Sequence, residues 1–489
     1  MDRHDRAGER APLLSDRPAS APSAAGAGDH IGDGGIVPWR SELALLLKYS
    51  LPLIATYLLQ YSFFCITIMI AGHLGADDLA AASIGSMTMN VCGLVVFEGM
   101  ATALDTLCAQ AYGSGHKVGV GLHIQRMISL MALSLIPVGL AWIFSPWILP
   151  LFVKQHHLAV KAGVFLQYSL VGLPGYGAFE AGKRFLQAQG DCNVGMAVLI
   201  ICAPVNAALS WWLAFPMQMG LAGAALGSAL SNNLRFVLLL MYIMSPFGRW
   251  SHVCWGGLSR DALRNWGPMV SLSFAGVIVL IGEWAAFEIL TFSTSYLSTD
   301  HLAAQTLLTT AIVVVWHIPF SISVALSTRI GHLIGGGFVD TAKRATTLYF
   351  FVFLLVGLFN AAVLYFFRYP IVSVFSKDQA IRELAVGSMW LAAVFEIIDS
   401  VVCGTNGLLR GLGKTSAAAY FAMSINYLEA VPLAIWLELG APALGIDGVW
   451  IGFGSGVALT IALECLYVRL LNWQRVVDKV KCREDVVND

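Results

Sequence analysis

Charge is scarce in this chain. Asp, Glu, Lys and Arg make up 12% of its 489 residues, against the ~25% usual for soluble domains. A water-facing globular surface is thereby excluded, and the surface must face lipid. A formal net charge of −1 leaves no reason to expect nucleic acid or an acidic polymer as a partner. Metal-ligand spacing is also missing. Cys65, Cys92, Cys108, Cys202, Cys403 and Cys465 lie in apolar runs and read as small buried hydrophobes, so no metal is expected. There is no phosphate loop or nucleophile elbow, and neither His156-His157 nor Glu396-x-x-Asp399 is flanked by further ligands. These absences argue against an enzyme and against a pump driven by ATP. The segment 1–38, rich in Ala, Gly, Pro, Arg and Asp, holds no apolar stretch long enough for a signal sequence and reads as a disordered tail.

Long hydrophobic runs are what the chain does have. A spanning helix needs about 20 mostly apolar residues, and twelve segments qualify, near 43–70, 79–106, 123–150, 158–184, 193–215, 220–245, 265–292, 302–328, 343–368, 381–409, 415–437 and 445–470. The first six and the last six repeat each other. Phe185-Leu186-Gln187-Ala188-Gln189-Gly190 returns as Gly407 to Gly413, and Leu79-Ala80-Ala81 returns as Leu302-Ala303-Ala304. Thr106, Gly113 and Gly115 return as Thr328, Gly335 and Gly337. An even number of spans per repeat sends both halves into the membrane in the same direction, so the repeats are parallel. The expected fold is an all-α polytopic membrane protein with twelve transmembrane helices in two parallel-repeat six-helix lobes around a central cleft. Its parts are the tail 1–38, a lobe 39–246, a linker 247–264, a lobe 265–470 and a tail 471–489.

Basic residues set the orientation. Placing both termini in the cytosol puts Arg40, Lys48, Lys117, Arg126, Lys183, Arg184, Arg260, Arg264, Arg329, Arg410 and Lys414 on the cytosolic side, and leaves few Lys or Arg outside. In the first tail, Glu9-Arg10-Ala11-Pro12-Leu13-Leu14 has the form of an acidic dileucine signal read by cytosolic sorting adaptors. A plasma membrane and a vacuolar membrane both fit.

The run Gly99-Met100-Ala101-Thr102-Ala103-Leu104-Asp105-Thr106-Leu107-Cys108-Ala109-Gln110-Ala111-Tyr112-Gly113, followed by Gln125-Arg126, resembles the signature between the second and third helices of eukaryotic multidrug and toxic compound extrusion (MATE) transporters, with a fungal cast. Gly282-Glu283-Trp284 with Phe287-Glu288, and Asp399-Ser400 with Gly404 and Arg410-Gly411-Leu412-Gly413, are similar to the same family's second-lobe motifs. The resemblance covers about residues 40 to 470. It implies a monomeric secondary exporter working by rocker-switch alternating access, with no cofactor, that exchanges protons for organic cations, drugs or secondary metabolites. Sodium coupling and export of citrate-like organic anions remain alternatives. A lipid-linked oligosaccharide flippase of the same superfamily would show a cationic cavity instead of an acidic one. The resemblance also places coupling on Glu283 and Asp399. Asp105, Gln110, Gly113, Arg126, Arg410 and Gly411 then belong to the structural motif.

The acids support a transport reading on physical grounds alone. A carboxylate at mid-membrane costs about 2.5–3.5 kcal/mol on insertion scales and normally marks an ion or proton path. Glu283 and Glu288 fall inside the seventh apolar segment, Glu396 and Asp399 inside the tenth, and Glu98 and Asp105 inside the second. Glu396 and Asp399 share a helical face, whereas Glu283 and Glu288 lie roughly 140° apart and are not expected to point into one site. Asp105 is expected to pair with Arg126 or to cap the following loop. The first apolar segment offers Gln60 and Tyr61 and no carboxylate, so coupling is expected in the second lobe. Aromatic faces attract organic cations by about 0.5–2 kcal/mol each, which makes Tyr61, Trp284, Phe287, Trp316 and Trp390 candidates for a substrate pocket. Pro174 with Gly172, Gly175 and Gly177 reads as a flexible point. Arg235, inside the sixth segment, has no evident role.

Overall fold

The computed structural model describes residues 38–151, 155–248, 253–375 and 378–488. The Glu9–Leu14 motif lies outside them. Twelve helices are long and apolar enough to cross a membrane. In the first lobe these are α1 (Trp39–Leu74), α2 (Asp77–Gly113), α3 (Lys117–Ile143), α4 (His156–Ala188), α5 (Asn193–Ala214) and α6 (Gly220–Met244). In the second they are α7 (Gly267–Thr294), α8 (Thr299–Gly335), α9 (Val339–Phe366), α10 (Gln379–Gly411), α11 (Thr415–Leu439) and α12 (Ile446–Leu470). An amphipathic helix, α13 (Trp473–Asn488), follows. No strand occurs among the described residues.

The duplication is visible in the backbone. Left-handed glycines recur in matched places: Gly115 with Gly337, Gly190 with Gly413, and Gly220 with Gly445, all at φ between +57° and +87°. Each stands beside a helix end, where a residue without a Cβ lets the chain leave the helix and turn back. The repeated glycines in the sequence therefore correspond to repeated turns.

The lobes meet through α1 and α2 against α7 and α8. Small residues make the α2–α7 crossing close: a Cβ on Gly276 would lie 2.4 Å from the Gly99 carbonyl oxygen, and one on Gly99 would lie 2.6 Å from Val277 Cα. The polar contacts between lobes cluster at the end of the bundle where α1 begins and α12 finishes. There Thr106 donates to the Arg410 carbonyl, Gln110 to the Gly411 carbonyl at 2.8 Å, and Gln187 to Thr328 Oγ1 at 2.7 Å. His332 Nε2 meets the Ala188 carbonyl at 2.8 Å. Glu42 accepts from Arg329 at 2.7 Å and from Tyr349 at 2.7 Å. α13 covers the same end, burying Trp473, Val476, Val477 and Val480 in a cluster with Leu333 and Ala342. Its Arg483 donates to Gln110 Oε1 at 2.9 Å.

Gly113 sits inside this seal, and a Cβ there would stand 2.3 Å from the His332 carbonyl oxygen. The variant Gly113→Val should keep the two lobes from meeting at this end and shift the population toward the opposite opening. The expected result is a several-fold faster maleimide labelling of Thr106→Cys in a cysteine-free background. An unchanged rate would show that the helices tolerate the side chain without parting.

Gly172 and Gly175, beside Pro174, also serve packing. A Cβ on Gly172 would meet Ala229 Cα at 2.5 Å, and one on Gly175 would meet Asn233 Cα at 2.6 Å, so these glycines let α4 lie against α6. A short 3-10 turn, Leu170–Gly172, precedes Pro174. Cys65 and Cys92 also depart from expectation, lying on the outer surface of the bundle.

Candidate functional site

Two cavities lie in the halves of the lobes away from the seal and share Trp284 and Trp316 as a common wall. The second-lobe cavity, about 860 Å³, is lined by Glu283, Glu288 and Asp399 together with Phe287, Thr309 and Asn406. Among the described residues, no Lys or Arg lines it. Glu283 accepts from Asn406 Nδ2 at 3.3 Å, and its charged neighbours are Asp399, Glu464 and Arg410. Phe287 also packs edge-on against Phe395 and Phe453 at 5.9 and 4.9 Å, which fixes this part of the α7 wall.

Three placements differ from the sequence expectation. Glu283 and Glu288 line the same cavity despite their angular separation, because its wall wraps α7. Glu396 does not line it. That side chain is fully buried between α10 and α9, where Asn360 Nδ2 donates to it at 2.9 Å. Trp390 is 49% exposed on the outside of α10 and lines neither cavity. Trp390→Ala should therefore change transport by less than about twofold, as expected for a surface position, in an uptake assay. A tenfold loss would put it back in the pocket.

The first-lobe cavity, about 1230 Å³, is lined by Gln60, Tyr61, Glu98, Tyr176, Asn232 and Arg235, among others. Tyr61 lies 4.9 Å from the His317 ring across the lobes, and Trp316 stacks on Phe320 at 4.6 Å. Each cavity also includes a π-helical turn in its wall. Asn90–Leu94 of α2 contributes Asn90 and Leu94 to the first, and Asn426–Ala430 of α11 contributes Asn426 to the second. Such turns re-aim side chains within a helix and are frequent at functional sites.

Beneath the first cavity is a charge network that the sequence did not suggest. Glu180 of α4, fully buried, pairs with Lys183 Nζ at 3.0 Å and with Arg184, and accepts from Gln60 Nε2 at 3.0 Å. Arg184 Nε reaches Asp105 Oδ1 at 3.3 Å, and Arg410 Nη1 of the other lobe reaches Asp105 Oδ2 at 3.7 Å. Both contacts to Asp105 are ion pairs without hydrogen-bond alignment. Asp105 therefore bridges the lobes through Arg184 and Arg410, and its ion-pair partners among the described residues are these two rather than Arg126. Arg126 instead donates to the Asp261 carbonyl at 3.3 Å, anchoring the segment between the lobes. Asp105, Gln110, Gly113, Arg410 and Gly411 converge on the seal described above. A further carboxylate, Glu464 of α12, is fully buried and accepts from Thr405. Its place inside an apolar run was the signal that could have found it.

Twelve spanning helices in two matched six-helix lobes, with cavities on either side of an interlobe wall, form the architecture of a polytopic transporter. The MatE family model matches residues 52–212 and 276–436, one segment in each lobe. The chain belongs to the MatE family of membrane transporters. A protein of Saccharomyces cerevisiae named uncharacterized transporter YDR338C is 36% identical over 93% of this chain, which spans 65% of that protein's own length. Multidrug and toxin extrusion protein 1 of Xenopus tropicalis is 28% identical over 91% of this chain and 77% of its own. The crystal structure of the eukaryotic MATE transporter AtDTX14 superposes with a TM-score of 0.86 at 25% identity, over 91% of this chain and 99% of that one.

Proposed function

We propose that this transporter is a proton-coupled exporter of organic cations, with Glu283 and Asp399 as the coupling pair and Glu288 beside them. The observation that carries the reading is the second-lobe cavity, which has three lining carboxylates, aromatic walls from Trp284, Phe287 and Trp316, and no lining Lys or Arg among the described residues. A cation and a proton compete for such carboxylates. When the carboxylate is neutralised by a proton, the cation is released, and deprotonation restores its affinity. The seal at the end bearing the termini, with the cavities in the opposite halves, suits the releasing state of an exporter whose termini are cytosolic. Basic loops at that end support the orientation. In this reading the protein works as a monomer in the plasma or vacuolar membrane, without a cofactor and without catalysing a covalent reaction. The Glu9–Leu14 segment serves as its sorting address.

The test is uptake of a fluorescent organic cation into proteoliposomes under an imposed pH gradient, with sodium present or absent. Accumulation that follows the pH gradient and ignores sodium supports proton antiport. Accumulation that requires a sodium gradient would transfer the coupling to sodium, and cation uptake under neither gradient would reject the reading.

A further inference from the structure

Arg235 is a buried charge that the coupling scheme does not use. It lies on α6, 1% exposed, with its guanidinium 4.8 Å from the Tyr176 ring and 4.7 Å from that of Phe179. Its Nε and Nη2 have no hydrogen-bond partner. No carboxylate among the described residues stands at ion-pair distance from it. Of the nearby acids, Glu180 already holds Lys183 and Arg184, and Glu98, which lines the same cavity, makes no ion pair with any described residue. Leaving guanidinium donors unpaired in a buried site is unfavourable, so packing over these rings and that of Phe63, at 5.7 Å, does not account for the group.

Arg235 lines the first-lobe cavity. Two further buried groups that line it, Tyr57 Oη and Ser86 Oγ, likewise have no hydrogen-bond partner, and both can donate. The facing rings of Tyr61 and Phe320 line it as well. A planar guanidinium in a cavity that also holds hydroxyl donors and aromatic walls matches a carboxylate on an aromatic body, since its fork geometry pairs two parallel N–H groups with two oxygens. We propose that the first-lobe cavity is a binding subsite for the carboxylate of an aromatic organic solute, with Arg235 as its counter-ion. This rests on the reading of the cavities as the transport cleft and extends it. One side of the Trp284–Trp316 wall carries three carboxylates and the other a guanidinium with a single carboxylate, Glu98, so aromatic zwitterions are the solutes that use both ends.

The probe is 2-naphthoate, compared with neutral 2-naphthamide, titrated calorimetrically into the full-length protein in detergent. Wild type should bind the acid at least about tenfold more tightly than the amide, the discrimination expected when a charged hydrogen bond is made or lost. Arg235→Gln should abolish that difference, and Arg235→Lys should keep part of it. Glu98, which lines the same cavity and makes no ion pair among the described residues, provides a variant that leaves the guanidinium in place. Glu98→Gln removes a like charge and should tighten acid binding several-fold without changing amide binding. Equal affinities in the wild type, discrimination that survives Arg235→Gln, or acid binding unmoved by Glu98→Gln would each overturn the proposal. If Arg235→Gln fails to fold, the wild-type comparison and Glu98→Gln decide the matter. Uptake of ethidium driven by a pH gradient, measured on the same preparations, fails or succeeds separately and so distinguishes loss of the subsite from loss of the antiport reading.

Discussion

Glu283→Gln should abolish the pH-driven component of cation accumulation. For one-for-one exchange, each pH unit supports about tenfold accumulation. The variant should therefore fall from that slope to none, while counterflow of labelled against unlabelled cation persists at some rate because the aromatic walls remain. Gln fills the same volume and still accepts from Asn406, so packing near Trp284 is preserved. Initial rates at several imposed gradients read the slope directly. A slope unchanged by the substitution would move the coupling to Asp399 or out of the second-lobe cavity, and the matching Asp399→Asn variant separates those cases. The charged neighbours of Glu283 are Asp399, Glu464 and Arg410, so a partial loss in Glu283→Gln with a complete loss in the double variant would identify Asp399 as the second proton carrier.

Glu180→Ala should be the most damaging single change to stability. It strips Lys183, 3% exposed, of its acid partner and leaves Arg184, 1% exposed, with Asp105 alone. Breaking a buried ion pair from one side typically costs about 3–5 kcal/mol. The measurable outcome is a lower yield of monodisperse protein and a drop in melting temperature of several degrees in detergent. Removing the charges together, as Glu180→Gln with Lys183→Met, should recover much of the loss, because a neutral amide and an apolar chain fill the space without an orphaned ion. Failure of the double variant to recover would mean that the pair also positions Gln60 on α1.

The sequence showed some of these acids and concealed others, and the difference is local context. Glu283, Glu288, Glu396 and Asp399 stand out because each interrupts an apolar run. Glu180 sits in Glu180-Ala181-Gly182-Lys183-Arg184, a polar stretch at a helix end that reads as emerging into water. Lys183, Arg184, Arg329 and Arg410 read equally well as loop charges when spans are counted by hydropathy, yet all four are buried, Arg329 against Glu42 and Arg410 beside Asp105. Hydropathy cannot see a charge that is satisfied across the bundle by a residue far away in sequence. The twelve spans and the duplication were legible because they depend on average composition and on recurring glycines. Partners such as Asp105 with Arg184 were not, because they depend on which faces of α2 and α4 meet. Trp390 shows the opposite failure, since nothing in its segment distinguishes an aromatic side chain turned toward lipid from one turned toward a cavity.

The seal between the lobes also bears on turnover. Three of its bonds run from a side chain to a main-chain carbonyl: Thr106 to Arg410, Gln110 to Gly411, and His332 to Ala188. When the lobes part, water can take the place of each partner, so the net loss is only about 0.5–1.5 kcal/mol per bond. A seal made of apolar surface would instead lose free energy in proportion to the area wetted. These three bonds are readily exchanged for water, so the larger cost of parting the lobes falls on the buried Glu42–Arg329 and Asp105–Arg410 pairs. In the proton-coupled reading proposed above, the free energy of a bound proton or cation is then weighed against the parting of those ion pairs rather than of the carbonyl bonds.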